Sequence, residues 1–120
     1  MHMKKIMFLT SLLFNLSMYS QNAEVYQKVL QIFQENINAQ NIEPIYNLYT
    51  RDTQEEMTKE GITRFIKGIY QQFGSFQEYK FLTAENSIYQ YTATFDKTTL
   101  VLELLLNTNG QIETIQFREP

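Results

Sequence analysis

Apolar and polar positions alternate with period two over much of the last third of the chain. Tyr89, Tyr91, Ala93 and Phe95 mark one such run, Leu100, Leu102, Leu104 and Leu106 a second, and Ile115 with Phe117 a third. Residues two apart on a strand share a face, so this spacing predicts three successive antiparallel strands. Asp96-Lys97-Thr98 and Asn107-Thr108-Asn109-Gly110 supply the turns, the second with an Asn-Gly pair that tolerates positive φ. A further strand is expected from Phe76 to Leu82, followed by a turn over Thr83 to Ser87, which makes a sheet of about four strands.

Upstream the period changes. Val25, Tyr26, Val29, Leu30, Phe33 and Ile37 fall on one stripe of a helix expected from Ala23 to Asn38, with Asn22 as its N-cap and Glu24 in its first turn. Asn41 is expected to cap a short second helix that carries Pro44 in its first turn, where no N–H is needed. Thr53 and Glu56 have capping-box spacing and predict a single turn from Glu55 to Met57. Thr58 caps the strongest helix, in which Ile62, Phe65, Ile66, Ile69, Tyr70 and Phe73 share a stripe, and Gly74 ends it. Helices first and strands last predict an α+β fold, with N-terminal helices packed on one face of a curved antiparallel sheet.

The first twenty residues read differently. Lys4 and Lys5 precede an apolar run from Ile6 to Met18, and the small residue Ser20 stands before Gln21. This is the layout of a secretory signal. The run of about 13 residues falls short of the roughly 20 that a spanning helix needs. Residues 1–20 are therefore expected to be a cleaved signal peptide and 21–120 a single α+β domain, periplasmic or secreted, without stable membrane insertion once the leader is gone. Met3 is an alternative start. The chain has no Cys. It can carry neither a lipid-anchoring cysteine nor a disulfide, so it must hold itself by its core.

Charge narrows the partners. The net charge of −3 becomes −5 when Lys4 and Lys5 leave with the leader. Nucleic acid and anionic membranes are bound through basic patches, so neither is expected as a partner. The only histidine, His2, also lies in the leader, which leaves the domain without His, Cys or Trp. A Ser-His-Asp or Cys-His nucleophile cannot be assembled, and a zinc site would have only carboxylates. Asp52, Glu55 and Glu56 lack the alternation and the glycine of a calcium loop, and no phosphate-binding or dinucleotide loop occurs. Neither a metal nor a cofactor is expected.

Five stretches carry a resemblance: Ile45-Tyr46-Asn47-Leu48-Tyr49, Phe65 through Phe73-Gly74-Ser75-Phe76, Tyr91-Thr92-Ala93-Thr94-Phe95, Leu100-Val101-Leu102-Glu103-Leu104, and Asn109-Gly110-Gln111-Ile112 with Phe117. Together they resemble the uncharacterised bacterial domain that accompanies serine hydrolases of the β-lactamase type and α/β-hydrolases. That domain is similar to the nuclear-transport-factor-2-like superfamily of cystatin-like cones. The resemblance covers nearly all of residues 21–120 and rests on core and turn positions. It implies a standalone version of a hydrolase-associated domain. The leader ending in Ser20-Gln21 resembles those of exported Bacteroidetes proteins.

Two functions remain open. As an exported non-catalytic module, the domain would bind a small apolar ligand or a protein partner, with Tyr46, Tyr49, Tyr70, Tyr89 and Tyr91 lining a pocket and their hydroxyls fixing the ligand. The sheet also admits a homodimer or a hydrolase-docking surface. Isomerases and dehydratases of the resembled superfamily imply the alternative, a small isomerase or lyase with a carboxylate base among tyrosine hydroxyls in an apolar cone. Glu103, in the middle of the most apolar strand and opposite in parity to the Leu row, is the candidate base. Which face the helices cover decides whether it can meet the tyrosines.

Overall fold

Strand pairing follows chain order. The computed structural model describes residues 22–120, in which α1 (residues 22–39), α2 (Ile42–Tyr46) and α3 (Arg51–Phe73) precede β1 (Phe76–Glu85), β2 (Ile88–Phe95), β3 (Thr99–Leu106) and β4 (Ile112–Arg118). The strands form one open antiparallel sheet in the order β1-β2-β3-β4, and the helices pack on one of its faces. This is the expected α+β architecture. The expected signal peptide, residues 1–20, lies outside the described residues.

The Leu row faces the helices. Phe81, Tyr91, Leu102 and Phe117 stand opposite one another across all four strands, and Tyr89, Leu104 and Ile115 make a parallel row. Leu30, Phe33, Ile37, Ile45, Ile62 and Ile66 are fully buried and close over all of these but Phe81, which stays half exposed. Each such side chain contributes about 1.5–3 kcal/mol by leaving water. Phe117 gathers the aromatic part of this core, with the rings of Phe33, Phe65, Phe76 and Phe95 at 5.6–6.4 Å. The opposite face presents Thr92, Thr94, Gln90, Glu103 and Gln116. No helix covers it.

Polar side chains fasten α1 to the sheet. The Asn38 amide donates to the Phe76 carbonyl and accepts from its N–H, each at 2.8 Å, and Gln34 adds a bond to the same carbonyl at 3.1 Å. At the other end of the helix the Tyr26 hydroxyl donates to the Ser87 carbonyl at 2.6 Å and accepts from the buried Leu106 N–H at 3.1 Å. These bonds give the first residue of β1 and the last of β3 partners that strand pairing leaves out.

Several boundaries differ from expectation. Asn22 is already helical rather than a cap, and Asn41 precedes α2 without a side-chain bond. α3 begins at Arg51, because Thr50 caps it by accepting from Thr53 N–H at 3.1 Å. The cap shifts three residues upstream because backbone bonds from Ile112 N–H to Leu48 and from Thr50 N–H to Ile112 hold Tyr49 and Thr50 beside β4. Thr53 uses its hydroxyl on Glu113 instead. Thr58 interrupts α3 with φ 67° and accepts from Gly61 N–H, so the second capping site stands where expected. β1 runs three residues further than expected, and Asn86-Ser87 alone makes the turn, both with positive φ (53° and 67°). That is the backbone a two-residue hairpin requires.

Gly74 closes α3 at φ 86°, donating to the Tyr70 carbonyl at 2.8 Å. The Asp96 carboxylate then accepts from Ser75 N–H at 2.8 Å and from the Gln77 amide. This locks the helix-to-strand corner onto the β2–β3 turn. A Cβ on Gly74 would lie 2.5 Å from the Asp96 carboxylate, so both the space and the positive φ demand glycine.

Candidate functional site

The five candidate tyrosines do not share one pocket. Tyr89 and Tyr91 lie together on the helix-facing side of β2, while Tyr46, Tyr49 and Tyr70 belong to the α2–α3 segment. Tyr46 is half-buried under the Lys59 ammonium, 5.6 Å from its ring centre. Tyr49 is buried beside β4, and its hydroxyl has no hydrogen-bond partner. Desolvation raises that phenol well above its ordinary pKa, so it stays neutral. Tyr70 is half-buried on α3.

Tyr89 and Tyr91 line a cavity of about 350 Å³ with Ala23, Gln27, Tyr79 and Phe81. Burial pushes the Tyr91 phenol up, and neighbouring tyrosines add to the effect. Tyr79 is raised as well, first by burial and then by the charge of Glu35. Both are therefore neutral hydrogen-bonding groups at physiological pH. Tyr79 and Phe81 were not among the sequence candidates. Bulges at Gln77 and Leu82 interrupt the alternation of β1, which hides the fact that both residues face inward.

Glu103 stands on the other side of the sheet. Its carboxylate accepts from the Gln90 amide at 3.0 Å and from Arg118 Nε at 3.2 Å, forming a cross-strand row on the face opposite the described helices. The tyrosines of β2 point the opposite way, so the sheet itself separates the candidate base from the candidate hydroxyls. Arg118, fifteen residues away in sequence, becomes its partner only through the pairing of β3 with β4.

A larger groove runs between α3 and the β3–β4 side of the sheet. It measures about 940 Å³, near the upper end of the range for small-molecule sites. Half-buried Phe65, Phe73 and Phe117 line it together with Leu100 and Ile69, Gly68, Gln72 and Gln116 stand beside them, and the charged side chains of Arg64, Lys97, Arg118 and Glu119 also border it. Gly68 is open: a Cβ there would meet nothing within 4 Å. The helical spacing from Phe65 to Phe73 marks these residues as core, and only the docking angle of α3 shows that the two phenylalanines remain partly uncovered.

Among the described residues, no three acidic side chains come together in a way that could hold a metal ion, and no helix is long and apolar enough to cross a membrane. A family model described as "Protein of unknown function (DUF3887)" matches residues 31–115, from the middle of α1 into β4. No curated protein and no solved structure matches the chain.

Proposed function

The chain belongs to the DUF3887 family, and we propose that it is a non-catalytic binding module that takes a small apolar ligand in the groove between α3 and the sheet. One observation carries this reading: three half-buried phenylalanine rings, with Leu100 and Ile69, form the apolar part of a space of about 940 Å³ that Arg64, Lys97, Arg118 and Glu119 also border. Apolar surface left partly open in this way is the usual basis of small-molecule affinity. The isomerase or lyase reading would require Glu103 and tyrosine hydroxyls to face one space. Their placement on opposite faces of the sheet supports the binding reading.

The same proposal keeps the domain as a hydrolase-associated module of the nuclear-transport-factor-2-like superfamily, exported after loss of residues 1–20. The order of helices and strands supports the first part, and the basic-then-apolar N-terminal sequence supports the second. Mass spectrometry of the protein recovered from its host tests export, which an intact Met1 or Met3 would overturn.

The groove is tested with an uncharged apolar dye, N-phenylnaphthylamine, followed by fluorescence. Saturable binding is expected. Gly68→Leu places a side chain in the open space and should abolish binding while stabilising α3 by about 0.5–1 kcal/mol, since leucine is the better helix former. Unchanged dye affinity in that variant would place the ligand elsewhere.

A further inference from the structure

The cavity at the other side of the helix-facing surface is built differently from the groove. Among the described residues, four of the six that line the cavity are aromatic: Tyr79, Phe81, Tyr89 and Tyr91, joined by Ala23 and Gln27 from α1. The Tyr91 ring stands at 90° to Tyr79 and at 73° to Phe81, with centroids 6.0 and 5.9 Å apart. Phe81 also meets Tyr89 at 57° and 5.7 Å, and Tyr89 in turn stacks on Tyr26 at 3.8 Å. In a wall of rings set at steep angles to one another, faces as well as edges border the space. Each face carries the negative lobe of the ring quadrupole, which attracts a cation within about 6 Å of the centroid.

The charges nearby agree with this. Among the described residues, no Lys or Arg lines the cavity. The carboxylate of Glu35, on α1, acts on the Tyr79 phenol and adds to the rise that burial causes, so it would favour a cation placed beside that ring. We propose that this cavity binds a small organic cation, its substituted ammonium held among the rings of Tyr79, Phe81 and Tyr91. A bare ammonium or a metal ion would lose its hydration without replacement ligands. A substituted ammonium spreads its charge over methyl groups that bury well against aromatic carbon. The Gln27 amide and the hydroxyls of Tyr79 and Tyr91 supply the polar atoms that a hydroxyl or carbonyl elsewhere on the cation would use.

Choline and its neutral isostere dimethylbutanol separate a charge-recognising cavity from a merely apolar one. Titration calorimetry on the full chain should show saturable choline binding at least about threefold tighter than that of the isostere. Phe81→Leu keeps an apolar side chain at a position that is 49% exposed, so the fold does not depend on it. It should weaken choline about threefold or more and leave the isostere unaffected. Gly68→Leu, which blocks the α3 groove, should not change choline binding, so failure of the groove reading and failure of this one are distinguishable. Equal affinity for choline and isostere, no saturation with choline, or full choline affinity in Phe81→Leu would each overturn the proposal.

Discussion

The Asn38 side chain behaves toward Phe76 as a neighbouring strand would, giving one hydrogen bond to its carbonyl and taking one from its N–H, both at 2.8 Å. β1 is an edge strand, and this amide caps its first residue. Asn38→Ala leaves the Phe76 N–H without its partner, while Gln34 still reaches the carbonyl. A loss of about 1–3 kcal/mol is expected in urea denaturation. Asn38→Asp keeps the acceptor and removes the donor, so it should fall between the two.

Two buried tyrosine hydroxyls should respond oppositely to removal. Tyr26→Phe strips a partner from the Leu106 N–H and from the Ser87 carbonyl and should cost about 1–3 kcal/mol. Tyr49→Phe deletes a hydroxyl that has no partner and should be neutral or stabilising by about 1 kcal/mol. Parallel melting curves of the two variants check the pair, and a large loss in Tyr49→Phe would contradict it.

Asp96 sets an acid limit on the corner between α3 and β1. Its carboxyl is held below the ordinary aspartate range, chiefly by the hydrogen bond from the Ser75 backbone and then by the Gln77 amide. A group whose folded pKa is depressed contributes stability above its unfolded value, near 3.9, and loses it as pH falls through the folded value. Stability should therefore drop in strong acid, and Asp96→Asn should flatten that limb of the pH profile. An unchanged acid limb in the variant would assign the effect to other carboxylates.

Ser87 holds φ 67° in the β1–β2 turn without being glycine. An L side chain is disfavoured there, and Asn-Gly is the preferred pair for a turn of this kind. Ser87→Gly should raise stability by about 0.5–1 kcal/mol, since the Tyr26 bond is to the backbone carbonyl and survives the change. The gain should vanish if the turn opens in solution.

Periodicity made the Leu row, the stripes of α1 and α3 and the stop at Gly74 legible, because each depends on spacing within one element. The misses share a cause: they depend on contacts between elements. Thr50 outranks Thr53 as the cap because Ile112, sixty-two residues on, fixes the backbone before it. Tyr79 and Phe81 escaped notice because bulges shift the parity of β1, and such bulges show only in the pairing with β2. Glu103 could be assigned a face by parity with the Leu row, but its pairing with Arg118 required the register of β4. The two open spaces were invisible for the same reason. A stripe of phenylalanines reads as core whether or not a neighbour fully covers it.

The bonds from Gln34, Asn38 and Tyr26 span 42, 38 and 61 to 80 residues, whereas every strand is joined to the next by a short turn. Loop closure grows costlier with length, so the meander can close on itself before α1 settles on it, and in reverse α1 is the unit that lifts first. Amide exchange should accordingly be faster in α1 than in β2 and β3. Each lifting uncovers the Leu row to other copies of the chain. Three polar side chains on one helix thus govern how often the domain is in a state that can aggregate.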